Sequence, residues 1–155
     1  MELLGSYVYL IKELEMLLRP RFLDACVGEA VTGAQYTALT VLQRHPGITT
    51  SELARRSFVR AQSMAPTIDF LLDAGLVRRE RDPMHGRRRL LYLTSHGVDT
   101  IVAITPAVVA LERELIAGLS PEEERMFGDL LRRSRHALIT SAAERASQSE
   151  RRPEP

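Results

Sequence analysis

Three observations predict a mainly α protein built around a winged helix-turn-helix. Thr32, Thr49 and Ser120 each stand three residues before a Gln or Glu (Gln35, Glu52, Glu123), the reciprocal pattern that caps a helix start. Two short β-rich runs, Leu76 to Arg81 and Arg89 to Leu93, flank Asp82-Pro83-Met84-His85-Gly86-Arg87, a turn-rich and charged hairpin tip. Long apolar segments with helical period lie on both sides of this middle region.

Leu3, Leu4, Tyr7, Val8, Leu10, Ile11, Leu14, Leu17 and Leu18 give the first segment a broad apolar face, and Pro20 is expected to break or kink this helix, with a shorter piece to Cys26. Helices are predicted over 33–45, ended by His45-Pro46-Gly47, over 50–56, and over 60–74, closed by Gly75 in the left-handed conformation. Met64, Ile68, Leu71 and Leu72 are expected in the core. After the hairpin, the run Ile101 to Leu111 is apolar on nearly every side, which predicts a helix to about residue 118 buried on more than one face and kinked at Pro106. Pro121 and Glu122 to Glu124 open a last helix, expected over 121–145 with Phe127, Leu130, Leu131 and Leu138 on one stripe. Residues 146–155 are polar and read as a disordered tail.

Charge separates the middle of the chain from its flanks. The protein has 155 residues and a net charge of +1, from 21 basic and 20 acidic residues. Nine arginines between Arg55 and Arg89 face four acids, giving +5, while the remainder holds 12 basic and 16 acidic residues, giving −4. A cationic segment on a predicted helix-turn-helix and hairpin is expected to meet a polyanion, with the second helix in the DNA major groove and the hairpin at the backbone or minor groove. The alternative is a winged-helix adaptor that binds an acidic protein partner; steep salt dependence and discrimination between duplexes separate the two. The single cysteine, Cys26, forms no internal disulfide, the uncharged run Ala30 to Gln43 is too short to span a membrane, and no basic residue precedes Lys12 as a secretory signal requires. A cytoplasmic protein is expected.

Gln35, Leu39 and Leu42, then Glu52-Leu53-Ala54, Gln62-Ser63-Met64, Asp69, Leu72, Gly75-Leu76-Val77, Arg81-Asp82-Pro83, Gly86-Arg87, Leu93-Thr94 and Gly97 resemble the MarR family of bacterial transcriptional regulators along nearly the whole chain. The stretch from Gly75 to Gly97 is the specific part. The resemblance implies a homodimer: a dimerisation helix within 1–31, a DNA-binding lobe over 32–94, and dimerisation helices over 95–145 forming an all-helical base. It implies double-stranded DNA as partner, read as a pseudo-palindrome by Arg60, Gln62, Ser63 and Thr67 of the recognition helix. Arg87 would enter the minor groove, and Arg79, Arg88 and Arg89 would hold phosphates. It further implies a small aromatic or phenolic effector in a cleft lined from 8–26, 36–43 and 101–110, with the side chains left open, and release of a repressor on binding. This chain departs from the family at two points. His85 replaces an Asp that orders the wing, leaving Asp82 as the expected ion-pair partner of Arg87 or Arg88. Pro66 stands where a polar or basic residue is more usual, and is expected to distort the early turns of the recognition helix or delay its start.

No catalytic constellation is present. Ser95, His96 and Asp99 lie on one helix end and cannot converge as a triad. The four histidines lack neighbours at ligand spacing, so no metal or other cofactor is expected. Cys26 reads either as an inert buried hydrophobe or as a peroxide-sensing thiol.

Overall fold

The computed structural model describes residues 6–150, with helices α1 (Tyr7–Val27), α2 (Gly33–Arg44), α3 (Thr50–Arg56), α4 (Ala61–Asp73), α5 (Ser95–Ile116) and α6 (Pro121–Glu150). A two-stranded antiparallel sheet, β1 (Val77–Arg81) and β2 (Arg89–Leu93), lies between α4 and α5 and pairs Val77 with Leu93 through Arg81 with Arg89. The fold is thus mainly α with a winged helix-turn-helix. No helix among the described residues is long and apolar enough to cross a membrane.

All three capping boxes form. Gln35 and Glu52 donate their amides to the Thr32 and Thr49 hydroxyls at 3.2 and 3.3 Å and accept from the threonine amides in return. Ser120 and Glu123 repeat the exchange at 2.7 and 3.3 Å, and these hydrogen bonds hold the Glu123 carboxyl below the usual carboxylate range. At the other end of α4, Gly75 takes φ +68°, so that the Leu76 amide reaches the Leu71 carbonyl and the Gly75 amide reaches that of Leu72. This double bond pattern satisfies carbonyls that a helix end leaves open. Thr94 then fastens the hairpin to α5: its hydroxyl donates to the Gly75 carbonyl at 2.6 Å and accepts the Gly97 amide at 3.1 Å, and its amide meets the Leu76 carbonyl.

The described residues fall into two compact units, 6–112 and 113–150. The first holds a core of Ala38, Leu39, Leu42, Leu53, Met64, Ile68, Leu71, Leu76, Val77, Leu91, Ile101 and Ile104. Met64, Ile68 and Leu71 are buried as expected, with Leu72 half-buried against them. The division falls inside α5, whose Gly97, Thr100, Ile101 and Ile104 are buried within the first unit. The second unit contains α6, where Phe127 is half-buried and Leu130, Leu131 and Leu138 are exposed.

Several expectations are corrected. The α1 helix runs unbroken through Pro20, since the one amide that proline removes costs less than ending a helix whose remaining bonds continue. Likewise α4 starts at Ala61 and is neither late nor frayed: the Met64 amide bonds the Arg60 carbonyl at 3.1 Å, and Pro66 forfeits only the bond to residue 62. The α6 helix continues to Glu150 in place of a tail from 146, through the helix-favouring Ala146, Gln148 and Glu150; residues 151–155 lie outside the described residues. Finally, among the described residues, α5 buries Gly97, Thr100, Ile101 and Ile104, while Val102 stays 62% exposed.

Candidate nucleic-acid interface

The α3 and α4 helices pack on each other through Leu53, Ala54, Met64 and Ile68, which leaves the first turn of α4 outward. Arg60 is the N-cap residue of α4, and Arg60, Gln62 and Ser63 are all exposed there. Thr67 is half-buried, lying toward the side of the helix that carries Met64, Ile68 and Leu71.

Strand register sorts the wing arginines. Arg78 stacks over the Tyr92 ring, 4.9 Å from its centroid, and is ion-paired with Glu80, so both charges on that face are engaged. On the other face stand Arg79, Arg81 and Arg89, exposed and without an ion-pair partner among the described residues. Arg81 and Arg89 are directly paired across the strands. Like charges opposite each other are destabilising, and here the Arg89 guanidinium also donates to the Gly86 carbonyl at 3.3 Å. Arg87 is exposed at the tip.

The tip is ordered differently from expectation. The Asp82 carboxylate accepts the Met84 amide at 2.8 Å, and the Asp82 amide meets the Arg88 carbonyl at 3.1 Å. It forms no ion pair with Arg87 or Arg88 among the described residues, because a carboxylate on so short a side chain bonds its own turn first. Both arginines keep their charge outward.

An open cleft of about 440 Å³ lies between the helix-turn-helix and the wing, lined by Thr49, Ser51, Glu52, Arg55 and Arg88. Arg55 and Arg88 place two guanidinium groups at this cleft beside the Thr49 and Ser51 hydroxyls, and the Glu52 carboxylate lies 3.9 Å from the Arg55 guanidinium. Sequence reasoning missed Thr49, Ser51, Arg55 and Arg81. Strand alternation from Arg79 was the available signal for Arg81; the cleft brings together residues from separate elements and left no local signal.

Cys26 is fully buried, and burial pushes its thiol pKa up. That favours the protonated thiol over the thiolate a peroxide sensor uses. No group of three or more His, Cys, Asp or Glu among the described residues is placed to hold a metal ion. Two of the three segments expected to line an effector cleft, 8–26 and 36–43, meet at Phe22 and Tyr36, whose rings pack edge to face at 5.7 Å.

A model of the MarR family matches residues 31–88. Transcriptional regulator HosA of Escherichia coli O111:H- is 31% identical over 107 residues, covering 69% of this chain and 79% of HosA. The chain belongs to the MarR family. Among solved structures, the PcaV transcriptional regulator of Streptomyces coelicolor in complex with its natural ligand superposes with a TM-score of 0.77 at 27% identity, over 89% of this chain and 97% of PcaV. The Mycobacterium tuberculosis MarR family protein Rv2887, in complex with salicylic acid, gives 0.67 at 28% identity, over 83% and 96%. This MarR protein is therefore a DNA-binding transcriptional regulator and not an enzyme, and the exposed arginines of α4 and the wing stand on its winged helix-turn-helix.

Proposed function

We propose that this MarR protein is a cytoplasmic homodimeric repressor that binds a pseudo-palindromic operator and is released by a small aromatic or phenolic effector. The observation that carries the DNA reading is the set of cations on one lobe: Arg60 at the start of α4, Arg55 and Arg88 across the cleft, and Arg79, Arg81 and Arg89 on one face of the wing. In this reading Gln62, Ser63 and Thr67 read base edges, Arg87 enters the minor groove, and residues 32–94 form the DNA-binding lobe. Dimerisation is supported by apolar surface on the flanking helices, where Tyr7, Val8, Ile11, Leu17 and Val102 are each more than half exposed. The effector is supported by the ligands that PcaV and Rv2887 hold.

Selection of duplexes from a random pool by the purified protein tests the proposal. Recovery of an inverted repeat with half-sites about one helical turn apart is the expected result. Absence of enrichment would overturn it in favour of an adaptor for an acidic protein. Salicylate added to the recovered complex should raise the dissociation constant.

A further inference from the structure

The α4 helix carries no lysine or arginine between Ala61 and Asp73. Its outward stripe, opposite buried Met64, Ile68 and Leu71, is formed at helical spacing by Gln62, Pro66, Asp69, Phe70 and Asp73, all of them exposed. Ala65 is exposed beside Pro66, and Phe70 leaves 41% of its surface open. A helix with two aspartates and no cation on this stripe is repelled by phosphates, so it cannot hold itself in a groove. The guanidinium groups that can do so stand around it, at Arg60, Arg55 and Arg88. Beside the Asp69 carboxylate, the middle of α4 thus presents exposed hydrocarbon: the Pro66 ring, the Ala65 methyl and the Phe70 ring. The apolar group that the major groove displays is the C5 methyl of thymine.

We infer that this regulator selects thymine at the base pairs facing Pro66 and Phe70 by apolar contact with the C5 methyl, leaving Gln62, Ser63 and Thr67 as hydrogen-bonding readers. The inference rests on the DNA-binding reading proposed for this protein and adds the chemistry of the base it discriminates. Its test replaces, one at a time, each thymine of the selected duplex by deoxyuridine, which lacks only that methyl. Binding should weaken about fourfold at one or two thymines per half-site, the effect of one methyl-sized apolar contact. In Pro66→Ser, which restores an amide hydrogen to the helix, the penalty at the thymine facing residue 66 should fall below about twofold, while the thymine duplex still binds. Equal affinity for thymine and deoxyuridine at every position overturns the inference and leaves DNA binding standing. So does a penalty unchanged in both Pro66→Ser and Phe70→Ser. Failure to select any duplex overturns the DNA-binding reading and this inference together.

Discussion

A Cβ added to Gly97 would lie 2.1 Å from the Leu76 carbonyl oxygen, and backbone at that point cannot retreat without breaking the bond Leu76 accepts from Thr94. Gly97→Ala should therefore cost about 2–3 kcal/mol of stability, measured by urea unfolding. Gly97 was legible in the sequence only as part of a family pattern; its physical reason is this contact between chain segments. Cys26 poses the opposite case, a residue whose letter suggests reactivity and whose surroundings remove it. With the thiol pKa raised, the neutral form predominates more fully at pH 7 to 8 than for a free cysteine. Labelling of the native protein by a thiol reagent should run far more slowly than labelling in denaturant, and peroxide should leave DNA affinity unchanged. Fast native labelling at neutral pH would contradict the buried geometry.

Helix starts were legible because a capping box is a purely local exchange between residues three apart. Glu123 gives that exchange a titration signature. Its carboxyl is held below the ordinary range by Ser120, so its contribution to α6 is present above the unfolded carboxylate pKa and is lost as pH falls through the lower folded value. Because the Ser120 backbone amide is the larger cause and the hydroxyl the smaller, Ser120→Ala should move the Glu123 titration only part of the way back up, read from its side-chain carbonyl by NMR. Helix interruptions were less legible. Proline rules predict a break or kink at Pro20 and distorted early turns or a late start at Pro66, yet both helices are continuous, each giving up a single hydrogen bond. The wing tip was half legible: Asp82 was singled out from sequence, but its partner is the Met84 amide and not an arginine. Asp82→Ala should leave global stability within about 1 kcal/mol, speed hydrogen exchange at Met84, and weaken DNA binding through a looser tip.

At the scale of the whole molecule, near-neutrality conceals a +5 segment within a −4 remainder. That partition was legible from counting alone, because charge needs no fold to be located along a chain. The covering of the apolar helix surfaces was not, since a partner copy contributes nothing to one chain's own pattern. If a second copy covers α5, Val102→Asp should leave the helix content intact while sedimentation shifts from dimer to monomer. Affinity for the inverted repeat should then drop by about two orders of magnitude or more as the linked second half-site is lost. A variant that still sediments as the wild type would place the dimer contact elsewhere. One small feature bears on how such a regulator would respond. Leu76 closes the end of α4 with its amide, accepts the Thr94 amide at the foot of the wing with its carbonyl, and abuts Gly97 in the first turn of α5. Three elements thus pivot on one peptide, a hinge pin with no play. In the proposed reading, a push on the start of α5 would reach α4 and the wing as a single displacement, so one signal would loosen both grips at once.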